Sequence, residues 1–416
     1  MNRREFLGAT TFTIMAPHLV RGTAANSAVR VGLLGCGGRG TEDATSMVNN
    51  GGARMVAIAD LFQDQLERAK ARFDKLAEQK GYAGIDSAHV FQGVDAAERI
   101  ATSKEVDVVS IGTPPYFHPG HLGIVVAAGK HVYCEKPVAV DVAGAKRVIE
   151  LGKLAEGKLS LDVGFQIRNA PPFVEIVRRI HGGALGEIVF GSAYYYCPFI
   201  GNDPWPPDPP ARQRLRNWIH DRVLSGDIVV EQNIHVIDIC NWVLKGHPVK
   251  ATAACGRKGR PDKGDCNGYY SATLQYPNNV MLNFSSRQVG KEDFDANERF
   301  FGTRGSSQSP YAGTLGITGD EPWTWNSGEK KTQGGDFSIT GSFSDNLAQA
   351  DAEKHKAFIE SITSGKFHNQ AALGAESSLS AMLIRKAAYE RREATWDELV
   401  QSNEKWDAKL DLAKVV

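Results

Sequence analysis

A chain of 416 residues, 42% of them apolar, can bury a large core and is long enough for two domains. Lysine plus arginine and aspartate plus glutamate balance at 48 each, with no basic stripe, which argues against a nucleic-acid partner. No run of about 18 apolar residues occurs, so no membrane-spanning helix is expected.

The chain opens with Asn2-Arg3-Arg4-Glu5-Phe6-Leu7, a twin-arginine pattern. A modest apolar run from Gly8 to Ala16 and small residues around Thr23-Ala24-Ala25 follow. Together they predict a signal segment over 1–28, export by the twin-arginine route and a periplasmic location; the bland alternative is a chance Arg-Arg pair. Cleavage after residue 25 would remove three arginines and one glutamate, leaving a formal net charge of about −2.

Val29 to Leu34 reads as an apolar strand running into Gly35-Cys36-Gly37-Gly38-Arg39-Gly40, a G-x-G-x-x-G at the start of a helix. Glycines let the backbone turn tightly and approach a pyrophosphate, and a helix N-terminus offers that anion unpaired N–H groups. A second strand, Met55 to Ala59, ends at Asp60, about 20 residues beyond Gly40. An acid there accepts hydrogen bonds from ribose hydroxyls and repels a 2′-phosphate, favouring NAD over NADP. Its structural alternative is capping a helix over Gln63–Ala77.

Strands and helices then alternate, as in a parallel doubly wound sheet with right-handed crossovers. Val106 to Ile111 is a buried strand stopped by Gly112-Thr113-Pro114-Pro115. Pro119 to Ala128 is a helix, and Lys130 to Cys134 a strand ending in Glu135-Lys136-Pro137. The carboxyl end of such strands is where ligands bind in open α/β sheets. Val142 to Ala155 is a helix and Leu159 to Gly164 a strand.

These patches resemble the Gfo/Idh/MocA family, named for glucose–fructose oxidoreductase, inositol dehydrogenase and a rhizopine-catabolism protein. The resemblance rests on the glycine loop, Thr113-Pro114 with His118, Gly129-Lys130-His131 leading to Glu135-Lys136-Pro137, and Gly164-Phe165-Gln166 with Arg168. It implies an N-terminal Rossmann domain, here 29–160, and a C-terminal α+β domain, here 161–416, with a large open, mostly antiparallel sheet. It also implies a homodimer or homotetramer built on that sheet. The cofactor residues it implies are Gly35, Cys36, Gly37, Gly38, Arg39, Gly40, Asp60, Thr113, Pro114, His118, Glu135 and Lys136.

In the second half, Asp203 to Pro210 is too rich in proline for a regular element. Arg212, Arg214, Arg216, Trp218 and His220 follow, either a sugar-binding set, with Trp218 stacking, or an exposed segment. Glu231, His235 and Asp238 recur at i, i+4 and i+7, one face of a helix. That stripe suits proton transfer. A metal is the poorer reading, since no third ligand is identifiable off that helix, and none is expected. Family members carry Asp, His and Asp at these positions, so Glu231 departs from the pattern. Pro115 replaces a common Asn, which implies a subfamily other than the plain inositol-dehydrogenase type. Phe190–Cys197, Val249–Gly256, Tyr269–Tyr276 and Val280–Arg287 read as strands, with a turn at Pro277-Asn278-Asn279. Asp351–Gly365 and Ala371–Arg392 read as helices, and the last residues as a tail.

Six cysteines are scattered, mostly as small buried hydrophobes; Cys255 and Cys266, flanking a Gly/Lys-rich loop, are candidates for one disulfide.

The expected activity is reversible oxidation of a secondary alcohol in a sugar, glycoside or cyclic polyol, with NAD held tightly. Lys136 would polarise the reacting oxygen, His235 would serve as base, and Glu231 would assist. Arg168 and Trp218 join these three as candidate substrate contacts. Two other readings stay open: a glycosidase working by transient oxidation at C3 and elimination, and a non-catalytic sugar- or nucleotide-binding protein.

Overall fold

A computed structural model describes residues 28–201, 208–291, 294–325 and 345–415. The twin-arginine segment up to residue 27, and residues 203–207 of the proline-rich loop, lie outside the described residues.

The first half is a parallel sheet of six strands. In chain order these are β1 (Arg30–Leu34), β2 (Arg54–Asp60), β3 (Val90–Gln92), β4 (Val108–Ile111), β5 (His131–Cys134) and β6 (Leu161–Val163). In space they run β3-β2-β1-β4-β5-β6, so the order reverses between β1 and β4. The connecting helices are α1 (Gly38–Gly51), α2 (Gln63–Lys80), α3 (Ala96–Thr102), α4 (His118–Ala127) and α5 (Val142–Ala155). β4 is buried along its whole length, as its unbroken apolar run requires.

Two glycines explain how closely α1 approaches the sheet. Gly35 has φ +93°, and a Cβ there would lie 2.6 Å from the Thr113 nitrogen. A Cβ on Gly40 would lie 2.6 Å from the Gly35 carbonyl oxygen.

The second half is a nine-stranded sheet, ordered β14-β13-β12-β11-β7-β10-β9-β8-β15. Its strands are β7 (Ile188–Cys197), β8 (Lys250–Gly256), β9 (Tyr269–Gln275), β10 (Met281–Gln288), β11 (Asp295–Gly302), β12 (Gly305–Gln308), β13 (Gly316–Gly319), β14 (Trp323–Thr324) and β15 (Ala394–Thr395). β7 pairs parallel with β10, and the other neighbours pair antiparallel. The turn at Pro277–Asn279 joins β9 to β10, with Asn278 at φ 59° and Asn279 at φ 61°. Burial alternates along β7, β9 and β10, leaving Tyr194, Tyr196, Ser271 and Asn283 on the open face.

The remaining helices are α6 (Pro171–His181), α7 (Pro210–Arg216), α8 (Arg222–Ser225), α9 (Ile228–Glu231), α10 (Ile234–Leu244), α11 (Ala350–Thr363), α12 (Ala371–Glu390) and α13 (Trp396–Ser402). Among the described residues no helix is long and apolar enough to cross a membrane.

Four features depart from the sequence expectations. First, Glu231, His235 and Asp238 do not share one continuous helix. The Gln232 and Asn233 N–H groups both donate to the Ile228 carbonyl, at 3.0 and 2.9 Å, so the hydrogen-bond ladder slips and α10 starts afresh. Second, α11 packs on α1, and its Phe358 and Ile359 complete the core of the first sheet. Third, the final residues are no loose tail. Ala408 and Val415 are buried, and the Trp406 N–H donates to Asp141 Oδ2 at 2.7 Å. Fourth, Cys255 and Cys266 are free thiols. Cys266 is buried between the Ser225 hydroxyl and the Ile219 carbonyl, both 3.5 Å from its sulfur. Cys255 sits in β8 opposite Tyr270.

Candidate active site

At the reversal between β1 and β4, the strand ends open a cavity of about 400 Å³, within the usual range for ligand pockets. Gly35, Gly37, Asp60, Thr113, Pro114 and Trp218 all line it. A Cβ added at Gly37 would meet nothing within 4 Å, so the helix N-terminus faces open space there. The Asp60 carboxylate is held by backbone: Cys36 N–H donates to Oδ2 at 2.7 Å and Phe62 N–H to Oδ1 at 2.9 Å. Burial raises the Asp60 pKa, and those two N–H groups oppose the rise. Helix α2 is capped by Phe62, so Asp60 shapes the turn before it. An open glycine cradle beside an oriented acid fits the pyrophosphate and ribose of a dinucleotide.

The other expected cofactor residues divide by their side chains. Gly38 and Gly40 form the first turn of α1. The Cys36 thiol is buried near the Ala59 carbonyl. Arg39 turns away from the cavity. Its Nε donates to Glu135 at 3.2 Å, and its terminal nitrogens reach Asp351 at 2.7 and 3.0 Å and Asp43 at 2.9 Å. Glu135 is therefore spent behind its own loop, accepting also the Lys136 N–H at 3.0 Å. Burial, then the neighbouring Asp43, pushes Glu135 up to about 7. Burial likewise takes Asp43 to about 7, so adjoining carboxyls face each other in the interior. His118 is buried, with ring nitrogens 2.7 Å from the Pro137 and Thr113 carbonyls, and so ties together the two loops that end β4 and β5.

Lys136 lies at the carboxyl end of β5, and its peptide bond to Pro137 is cis. Its ammonium donates to the Glu231 carbonyl at 2.6 Å and to Glu231 Oε1 at 3.2 Å. His235, one turn further along, has a buried Nδ1 with no hydrogen-bond partner. Burial, then the charges of Lys136 and Arg39, hold its pKa well below the usual 6.5. The imidazole is therefore neutral at pH 7.

Asp238 and Arg168 take a different course from the sequence expectation. Arg168 Nε and Nη2 bond Asp238 Oδ2 and Oδ1 at 2.8 and 2.9 Å, and the Ser377 hydroxyl donates to Oδ1 at 2.7 Å. Asp238 is 1% exposed, so this is an interior ion pair, and Arg168 is already committed to it. Trp218 also moves role, lining the nucleotide cavity. Of its neighbours, Arg216 pairs with Asp64, Arg214 with Asp221, and His220 is buried beside Arg260.

Sequence reasoning missed several residues. Gln166 Oε1 and both amide atoms of Asn233, two residues before His235, are buried without hydrogen-bond partners, as is His235 Nδ1. Buried polar atoms left unpaired call for a ligand or water. Their signal was the quoted Gly164-Phe165-Gln166 motif and the polar pair interrupting the helix. His121 and Leu412 line the nucleotide cavity; Leu412 carried no signal, being some 370 residues from the glycine loop.

Among the described residues one group has metal-ligand spacing, Asp43, Asp351 and His355. The Arg39 guanidinium already occupies the charge-compensating place there.

Comparison with known proteins bears on the family and the fold. Residues 29–163 match the family model described as "Oxidoreductase family, NAD-binding Rossmann fold", and residues 173–308 match the GFO/IDH/MocA C-terminal domain. The inositol 2-dehydrogenase of Rhizobium meliloti is 26% identical over 365 residues, covering 86% of this chain and 96% of the relative. Among solved structures, scyllo-inositol dehydrogenase from Lactobacillus casei with bound NAD(H) and scyllo-inositol superposes with a TM-score of 0.66 at 17% identity, covering 89% of this chain and 99% of the other. Aldose-aldose oxidoreductase from Caulobacter crescentus gives 0.65 at 21% identity, covering 88% and 99%. At such identities these two neighbours speak to the fold alone.

Proposed function

The chain belongs to the Gfo/Idh/MocA family of NAD-binding oxidoreductases, and from that premise we propose that it interconverts a secondary alcohol and a ketone on a sugar, glycoside or cyclic polyol. The observation that carries this reading is the Lys136 ammonium, fixed by two contacts to Glu231 at the carboxyl end of β5 in the same sheet whose strand ends form the dinucleotide cavity, with a neutral imidazole one turn beyond Glu231. Inositol dehydrogenases among the relatives support a polyol substrate.

The glycine loop from Gly35 to Gly40, Asp60, Thr113 and Pro114 would hold NAD. When bound, NAD supplies the acceptor for the hydride leaving the alcohol carbon. Lys136 donates a hydrogen bond to the reacting oxygen and stabilises the charge that develops as its proton leaves. Glu231 holds that ammonium in place. His235, neutral and with an unpaired nitrogen, accepts the hydroxyl proton. Gln166 and Asn233 offer amide groups to the remaining hydroxyls.

The finer parts of the reading rest on sequence and shape. Arg3-Arg4 supports export by the twin-arginine route to the periplasm, where free NAD is scarce and a tightly held cofactor would be required. The open face of the second sheet, bearing Tyr194 and Tyr196, supports a homodimer or homotetramer. Division near residue 160 would separate a cofactor unit from a substrate unit, with α11 and the C-terminal segment returning to the first.

The test is an absorbance spectrum of the purified protein, repeated with glucosides, free hexoses and inositols. A band near ~340 nm that grows with one alcohol and fades with its ketone is expected. Aglycone release without a lasting band would transfer the reading to an elimination-type glycosidase. Failure to bind NAD at all would leave a binding protein.

A further inference from the structure

The nucleotide cavity has a wall that the first sheet does not supply. Leu215 to Trp218 and Leu412 line the cavity together with Gly35, Gly37 and Asp60. Leu412 belongs to a C-terminal segment that crosses back over the first domain after α13. Its Ala408 and Val415 are buried in one apolar cluster with Phe62, Leu215 and Leu224. Phe62 stands on the loop that follows Asp60, so the cluster joins the C-terminal segment to that loop.

Polar contacts fix the path of the segment. The Ala143 N–H donates to the Glu404 carbonyl at 3.0 Å. The Arg385 guanidinium lies 3.8 Å from the Trp406 ring centroid. The Ala408 N–H donates to the Tyr116 hydroxyl at 3.3 Å, and Arg214 Nη1 donates to the Ala408 carbonyl at 2.9 Å. On the neighbouring wall, Arg216 bonds Asp64 at 2.8 and 3.2 Å and lies 4.3 Å from the Phe62 ring centroid.

Leu412 itself is only partly buried, although Val415 beside it is fully enclosed. An apolar side chain lining a roomy cavity gains little from the protein alone, and gains its burial when the cavity is filled. We propose that residues 404–415, with Leu215–Trp218, form a strap that encloses the nucleoside half of a bound dinucleotide, so that release requires the strap to lift. The inference rests on the reading of this cavity as the NAD site. It assigns the cofactor's retention to a segment outside the Rossmann sheet.

The test loads the full chain with NADH, adds excess NAD and follows loss of bound-NADH fluorescence. Leu412→Ser, Leu412→Met and a chain ended after Asn403 are compared with the parent. Leu412→Ser and the shortened chain should release NADH about tenfold faster or more, and Leu412→Met should restore slow release. Unfolding midpoints establish that each variant is folded; if the shortened chain is not, the two Leu412 variants decide. Equal release rates from folded variants overturn the strap while leaving the NAD site intact. A parent that binds no NADH overturns the site reading and the strap with it.

Discussion

At the scale of single residues, the reading turns on which charged groups are free to do chemistry. Arg39, Arg168, Glu135 and Asp238 all lie in motifs a sequence reader would give to ligands. Each is instead committed to an interior partner: Arg39 to Glu135 and Asp351, Arg168 to Asp238. Lys136 is held by Glu231 at the carboxyl end of β5, and its role is separable from cofactor binding. Lys136→Met should therefore retain NAD while turnover falls by about three powers of ten. Steady-state kinetics beside an NAD titration checks this; activity within a few-fold of the parent would remove Lys136 from the chemistry. The Lys136–Glu231 contact was not visible in the sequence, because 95 residues separate the partners and nothing local encodes the pairing.

At the scale of elements, the turn before α9 carries the site. Asp227 adopts φ 70°, rare for a residue with a side chain, and pays for it with bonds from the Ile228 and Asn267 N–H groups and the Tyr270 hydroxyl. That turn, and the slipped ladder after it, aim Glu231 and His235 separately. Spacing of i, i+4 and i+7 predicted a single stripe because periodicity cannot register a break made by tertiary hydrogen bonds. On β11, Glu298 is fully buried; Ser309 donates to Oε2 at 2.8 Å, and Oε1 has no hydrogen-bond partner. Burial pushes its pKa up to about 8. Because the folded form keeps a proton that the unfolded chain has released, stability from this group is present at low pH. It is lost as pH rises from the ordinary carboxyl range through about 8. Glu298→Gln should flatten the fall in unfolding free energy between roughly pH 6.5 and 7.5 by about 1.4 kcal/mol per pH unit. Urea unfolding across that range measures it. An unchanged slope would mean that Glu298 is ionised in the fold.

At the scale of the whole molecule, the first sheet is braced by an element from the far end of the chain. Helix α11 brings Asp351 and His355 against α1, where Asp351 holds Arg39 and Arg39 holds Glu135. The glycine loop, the end of β5 and a C-terminal helix thus share one charge network. Asp351→Ala should lower the unfolding free energy by about 2–3 kcal/mol and weaken NAD binding, since the first turn of α1 loses its pin. Denaturant unfolding and NAD titration check both effects. Parent-like values in both would show that the network does not support the glycine loop.

The local signals were enough for the alternation of strands and helices, the glycine turn, Asp60, Glu135-Lys136-Pro137 and the Pro277–Asn279 turn. Each depends on residue types that constrain the backbone or patterning within one element. The tertiary structure decided what no window of the chain contains: which charges neutralise one another, where α9 ends, that Cys255 and Cys266 stay apart, and that the last residues close on the nucleotide cavity. The physical reason is common to all four. Burial makes an unpaired charge or an exposed apolar segment costly, and the partner that relieves the cost is chosen by the fold rather than by sequence neighbours.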